Sequence, residues 1–216
     1  MSAEVVASNM GMYTSYVFPR ILDYIMSGEN FDEVRRKTLQ NVRGNTLEIG
    51  FGTGLNLNHY PASLGRLVAI DVNPGMGAMA RKRTAHSGTE VDHRVLDGQS
   101  LPIADGTFDS VVSTWTLCSI AEVDRALLEI YRVLAPGGRF FFVEHGLSKD
   151  SEIQKWQRRL TPIQKIVADG CHLDRNIESL IRRTGFHDIE LETFYMERVP
   201  RVGGFLYQGV AVKSED

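Results

Sequence analysis

An apolar run, Leu47-Glu48-Ile49, breaks into a turn that carries glycine at every second position, Gly50, Gly52 and Gly54. Glycine there lets the backbone bend sharply and lets a ligand lie against the main chain with no Cβ atoms in the way. Four more strands are expected near residues 66–71, 91–95, 108–114 and 139–145. Stretches of helical spacing separate them, around 54–59, 75–86 and 121–134. Alternation of this kind specifies an α/β fold with a mostly parallel sheet and right-handed crossovers. Ligands of such sheets sit at the carboxyl ends of the strands, where the glycine turn lies.

The acids beside the turn narrow the ligand. Asp71 closes the run Leu67-Val68-Ala69-Ile70. A carboxylate at a strand end accepts two charge-assisted hydrogen bonds from vicinal hydroxyls, which describes a nucleoside pocket. A dinucleotide site prefers Gly-x-Gly-x-x-Gly, so that a pyrophosphate can rest on the helix N-terminus. Here the third glycine comes one residue early, and Leu55 stands where that pattern has glycine. No Gly-Lys-Ser/Thr follows, which excludes a phosphate-binding loop of that type. Glu48 is poorly placed beside a pyrophosphate and well placed near a cationic ligand, an ammonium or a sulfonium.

The flanks extend this core without a linker or repeat, so residues 1–216 read as one domain. Residues 10–40 are mostly helical, with Val17, Ile21, Leu22, Ile25 and Met26 at helical spacing and Pro19 near a helix start. After residue 145 a charged amphipathic helix runs from Glu152 to Ala168, with Trp156, Leu160, Ile163, Ile166 and Val167 as its apolar residues. Pro162 is expected to kink or divide it. A helix from Arg175 to Thr184 ends at Gly185. Two strands, Ile189 to Tyr195 and Phe205 to Val212, close the chain.

Net charge is -3, so no general attraction to nucleic acid is implied. Arg35-Arg36-Lys37 and Arg81-Lys82-Arg83 read as solvated helix faces. Two cysteines, Cys118 and Cys171, make no disulfide framework. With scattered histidines they show no metal-ligand spacing, so no metal is expected. That usage fits a reducing compartment and a cytoplasmic location. Residues Met1 to Ser8 include Glu4 and only a short apolar patch, unlike a signal peptide. No run approaches the roughly 20 apolar residues of a membrane span.

In order along the chain, four segments resemble the class I S-adenosylmethionine-dependent methyltransferases. They are Glu48-x-Gly50-x-Gly52-x-Gly54; Asp71 in Ala69-Ile70-Asp71-Val72-Asn73-Pro74-Gly75-Met76; Asp97-Gly98-Gln99-Ser100-Leu101-Pro102 through Asp109; and Leu134-Ala135-Pro136-Gly137-Gly138-Arg139. The resemblance implies a Rossmann-like, doubly wound sheet of seven strands with the last antiparallel. An N-terminal helical lid would cover residues 1–44, the cofactor core 45–145, and substrate-side helices and final strands 146–216. It implies S-adenosyl-L-methionine as cofactor, with Glu48 beside its methionine part and Gly50, Gly52 and Gly54 giving backbone approach. Asp71 would hold the ribose, Val72 and Met76 would flank the adenine, and Asp97 with the Gly98 amide would meet its amino group. Thr114 and Thr116 would line the site at the end of the fourth strand. Tyr13, Tyr16 and Phe18 fall in the segment that covers the cofactor in that class.

Thr116-Leu117-Cys118-Ser119-Ile120, Val143-Glu144-His145 and Asp169-Gly170-Cys171-His172-Leu173 are similar to the thiol methyltransferase-like branch of that class. That branch has an N-terminal hydrophobic membrane anchor, and the opening residues here do not match it. The likeness implies a small, fairly apolar acceptor, a thiol among the candidates. Cys118, Glu144 and His145 are then the candidate catalytic residues at the ends of strands four and five. His145 is either a base toward a thiol or hydroxyl, or a structural side chain holding the loop. Cys118 suits a small buried side chain better than a nucleophile. Asp169, Cys171 and His172 either line the pocket or form a helix-connecting turn. The segment from Asp97 is also similar to quinone-biosynthesis C-methyltransferases. The helix from Glu152 keeps phospholipid amine methylation, with peripheral membrane contact, as a third reading. A cofactor-binding protein without turnover is the reading of a different class. Oligomeric state is not legible.

Overall fold

A computed structural model describes residues 17–73 and 77–215, without the side chains of Phe18 and Ala78. Met76, Tyr13 and Tyr16 lie outside the described residues. Two helices come first, α1 (Phe18–Met26) and α2 (Glu29–Leu39). The sheet core follows as β1 (Gly44–Ile49), a 3-10 turn (Leu55–His59), β2 (Leu64–Asp71), α3 (Gly77–Ser87), β3 (Val91–Val95), β4 (Phe108–Thr114), α4 (Val123–Val133) and β5 (Leu134–His145). Then come α5 (Ser151–Val167), α6 (Ile177–Arg182), β6 (Asp188–Tyr195) and β7 (Phe205–Val212).

The seven strands lie in the order β3-β2-β1-β4-β5-β7-β6. Strands β1 to β5 pair in parallel, and β7 runs antiparallel to both β5 and β6. This is the Rossmann-like, doubly wound topology with the antiparallel last strand. The order reverses between β1 and β4, and that switch opens a crevice at the carboxyl ends of the two strands.

Strand alternation divides the core into two faces. Leu47, Ile49, Val68, Ile70, Val111, Phe140 and Phe142 pack against helix α4 at Val123, Leu127, Ile130 and Val133, and against Ile177 and Ile181 of α6. The intervening residues Val112 and Phe141 meet Leu39 and Val42, and Leu67 and Ala69 meet Phe51, Leu57 and Ala80. Glu48 points to this second face, because it alternates with Leu47 and Ile49.

Three local expectations change. Helix α5 runs through Pro162 as one element, so of the two expected effects division does not occur; Pro162 is on the exposed side of the helix. Its amphipathicity is inverted: Gln157 and Thr161 are buried, whereas Trp156, Ile163 and Ile166 are exposed. Gln157 holds this face by donating to the Gly146 and Val202 carbonyls at 2.9 and 3.0 Å. Helix α6 begins at Ile177 rather than Arg175, since Asn176 caps it by accepting from the Ser179 amide at 2.9 Å. No helix among the described residues is long and apolar enough to cross a membrane.

Candidate active site

The glycine turn continues β1 over the crevice. The Gly50 and Phe51 amides both donate to the Ile70 carbonyl, at 2.9 and 3.1 Å, which folds the turn back onto the end of β2. Gly50, Gly52 and Gly54 all have positive φ, +74°, +56° and +82°. At Gly50 a Cβ would collide with Thr116, so glycine is required by close approach as well as by conformation. At Gly52 the nearest neighbour to a Cβ would be the Gly50 carbonyl at 3.9 Å, leaving that side of the loop open. Asp71 fixes the loop from below. Its Oδ2 accepts from the Gly52 amide and its Oδ1 from the Asn73 amide, both at 2.8 Å. Burial pushes its carboxyl above the ordinary value, and the two amides pull the other way.

Beyond the loop lies a cavity of about 590 Å³. That volume falls within the range of roughly 300–1,000 Å³ typical of small-molecule and cofactor sites. Gly50, Gly52, Asp71, Val72, Asp97, Gly98, Thr114, Thr116, Cys118 and His145 all line it. Asp169 and Cys171 line it too, while His172 does not. Helix α1 closes one side through Leu22, Asp23, Ile25 and Met26. Asp97 is itself held by Gln99, whose amide and side-chain nitrogen both donate to Oδ1 at 2.9 Å.

Two of the acids sit elsewhere than the sequence suggested. Glu48 does not line the cavity; alternation turns it onto the α2 face, where it is 1% exposed. It accepts from Asn56 Nδ2 at 2.8 Å and from the Tyr60 hydroxyl at 2.6 Å, both belonging to the turn after the glycine loop. Burial raises its carboxyl from 4.5 to about 7, against the pull of those donors and of Arg35. These bonds tie Glu48 to the turn after the glycine loop, and Gly54, also absent from the cavity wall, belongs to the same turn. Glu144 is likewise outside the cavity and fully buried, on the opposite side of β5 from His145. Its Oε1 accepts from Ser113 Oγ at 2.9 Å and from the Thr116 and Leu117 amides at 3.0 Å. Burial raises its carboxyl as well. Glu144 therefore holds the loop after β4 and does not face the cavity.

The basic runs also divide. Arg36 and Lys37 are exposed, but Arg35 is buried at 2%. It donates to the Met26 carbonyl at 2.8 Å and lies over the Trp115 ring, 5.1 Å from its centroid. Arg83 binds the Thr53 carbonyl at 2.8 Å and Asp23 Oδ2 at 3.0 Å, which joins α3, the glycine loop and α1. Thr53 completes that joint by donating to Asp23 Oδ1 at 2.6 Å. These contacts link residues 30 and 60 positions apart, so no local spacing reveals them.

The far end of the cavity carries two cysteine sulfurs and an imidazole. Cys118, His145 and Cys171 converge there, although their separation along the chain gives no reason to group them. His145 Nε2 lies 2.9 Å from Cys171 Sγ, and the two sulfurs are 3.9 Å apart. Burial opposes protonation of His145, but the Cys171 contact and neighbouring Glu144 lift it above the ordinary histidine value. His145 Nδ1 is buried with no hydrogen-bond partner among the described residues. Leu206, paired with His145 across β7, lines the same wall with Leu173 and Met196.

Comparison with known proteins points the same way. A family described as a methyltransferase domain matches residues 47–142. The thiol S-methyltransferase TMT1A of Homo sapiens is 37% identical over 150 residues, 68% of this chain and 61% of that protein. The chain thus spans about three-fifths of that relative's length. The thiol S-methyltransferase TMT1B of Homo sapiens is 32% identical over 178 residues, 77% of this chain and 72% of that protein. Among solved structures, phosphoethanolamine N-methyltransferase 2 of Haemonchus contortus, in complex with S-adenosyl-L-methionine, superposes with a TM-score of 0.72. It is 18% identical, and the match covers 99% of this chain and 60% of that one.

Proposed function

The chain belongs to the S-adenosylmethionine-dependent methyltransferases, and on that footing we propose that it methylates a small, fairly apolar acceptor at a thiol. The residues present fit the cofactor. Each Asp71 oxygen spends one lone pair on a backbone amide and keeps another for a ribose hydroxyl. The open side of Gly52 gives the backbone approach that a nucleoside needs. Val72, Leu96 and Ile120 supply apolar cavity wall for a base near Asp97 and Gly98. When bound, S-adenosylmethionine supplies a methyl group already activated on a sulfonium sulfur.

What remains for the protein is position and exclusion of water. The acceptor end carries the proposal: its wall is Cys118, His145, Cys171, Leu173, Met196 and Leu206, all uncharged except for the titratable histidine. Such a wall accepts an alkyl thiol readily and imposes a desolvation penalty on an ammonium or a phosphate headgroup. A thiol gives up its proton far more readily than a hydroxyl, and His145 at the same end of the cavity can take it. The similarity to the two thiol S-methyltransferases supports the same acceptor.

The test is a competition of acceptors. The purified chain, given labelled S-adenosylmethionine, is offered alkyl thiols, phenols, quinol precursors and ethanolamine phospholipids. Alkyl thiols should have the highest kcat/KM, by roughly tenfold or more, which corresponds to about 1.4 kcal/mol of transition-state discrimination. Methylation confined to quinol precursors or phospholipid amines would overturn the thiol assignment. Cofactor binding with no methylated product would favour a non-catalytic role.

A further inference from the structure

We propose that Cys118, His145 and Cys171 form a metal site, two thiolates and one imidazole around a zinc-class cation whose fourth position opens into the cavity. The three side chains come from the loop after β4, the end of β5 and the turn after α5. Each offers one ligand atom, and those atoms all lie within 4.8 Å of one another. Three protein ligands with an open fourth position is the arrangement of reactive zinc sites, whereas structural sites are closed by four.

The distances fit. Tetrahedral zinc with metal–sulfur bonds of about 2.3 Å places two sulfurs about 3.8 Å apart. Here they are 3.9 Å apart. A metal–nitrogen bond of about 2.0 Å asks for a nitrogen–sulfur separation of about 3.5 Å. The imidazole lies closer, at 2.9 Å from Cys171, so it must withdraw by about 0.6 Å. That is a side-chain adjustment of one ring.

The surroundings already hold the two cysteine-bearing segments, while His145 Nδ1 has no second partner among the described residues. The loop bearing Cys118 is pinned by Glu144, through the Thr116 and Leu117 amides at 3.0 Å. The Cys118 carbonyl accepts from the His172 amide at 2.9 Å, which locks the turn bearing Cys171 to that loop. Gln164 Nε2 lies 3.7 Å from Cys171 Sγ as a donor, the orientation that a coordinated thiolate uses. The Arg175 guanidinium, donating to the Leu117 carbonyl, lies in the field of both cysteines and of Glu144.

Binding balances simply. Both thiols lose a proton to solvent, two sulfur–metal bonds and one nitrogen–metal bond form, and water fills the fourth position. All three side chains line the cavity, so the metal would have an entry path. A thiol acceptor would replace that water as a thiolate, its proton passing to solvent. This last consequence rests on the acceptor assignment above; the metal site does not.

The test uses the full chain, reduced with a phosphine, stripped with a chelator and titrated anaerobically with cobalt(II) alone. One equivalent should bind with the thiolate-to-cobalt charge-transfer absorption of a tetrahedral site, and zinc should displace it. Cys118→Ser and Cys171→Ser should each remove about half of that absorption, one thiolate of the two. His145→Gln should retain the band and weaken binding by roughly tenfold or more. Circular dichroism checks each variant for fold. Should a variant unfold, the wild type decides: zinc should shield both cysteines from iodoacetamide, read by mass spectrometry. No charge-transfer band on a folded, reduced chain, or cysteines alkylated equally fast with and without zinc, would overturn the proposal. None of these readouts uses turnover, so a failed thiol panel leaves the metal result standing, and the reverse holds.

Discussion

Glu48→Gln isolates the most strongly perturbed carboxyl beneath the glycine loop. Glu48 is buried, and its carboxyl is raised from 4.5 to about 7. An acid whose folded value lies above its unfolded one binds the proton more tightly in the native state. Stability is therefore full below pH 4.5 and declines as pH rises through the window from 4.5 to about 7, after which it levels off. The loss integrates to about 3 kcal/mol, at about 1.4 kcal/mol for each pH unit across that window. The attraction of Arg35 already acts against this loss, since it holds the folded value lower than burial alone would. Gln keeps both contacts: its oxygen accepts from Asn56, and the Tyr60 hydroxyl turns to accept from its amide. Urea unfolding of both proteins at pH 5 and pH 8, followed by circular dichroism, measures the effect. The wild type should lose about 2.5 kcal/mol relative to Glu48→Gln between the two conditions, part of the full loss having already occurred by pH 5. A gap that stays constant would refute the assignment of this pH dependence to Glu48.

Two loop glycines should fail in different ways. Gly52→Ala meets no close neighbour but keeps φ at +56°, so it should cost about 1–2 kcal/mol of stability while weakening cofactor binding selectively. Gly50→Ala adds a collision with Thr116, and unfolding experiments should show a loss of about 3–5 kcal/mol. Glu144→Gln replaces an acceptor of several donors by a group that carries two N–H bonds of its own. A destabilisation of about 1–3 kcal/mol in denaturant melts is expected, and wild-type stability would remove Glu144 from its loop-holding role.

Strand β3, Val91-Asp92-His93-Arg94-Val95, carries no apolar run and follows only from the alternation of elements, whereas β2 and β5 were legible from local apolar runs, Leu67-Val68-Ala69-Ile70 and Phe140-Phe141-Phe142-Val143. Asp71 was legible for the same reason, since a carboxylate directly after a buried run must sit at the strand's end. Glu48 was misplaced because the motif gives its neighbourhood but the pleat decides its side: residues 47 and 49 bury on the α4 face and send it to the other. Glu144 was misplaced next to His145 for the same reason. Arg35 looked like part of a charged helix surface, yet Trp115 and the Met26 carbonyl enclose it. Cys118, His145 and Cys171 come together only through the order of strands and the turn after α5, which no spacing encodes. The helix α5 turned its polar Gln157 inward because unsatisfied carbonyls at Gly146 and Val202 waited there.

The central claim is that Asp71 and the glycine loop hold S-adenosylmethionine. Isothermal titration of that cofactor into the wild type and Asp71→Ala, with circular dichroism to verify the fold, tests it most directly. Hydrogen bonds to a charged group contribute about 1.5–3 kcal/mol each, so affinity should fall by roughly tenfold or more. Equal affinity in a folded Asp71→Ala protein would contradict it, as would a wild type that binds NAD in preference to S-adenosylmethionine.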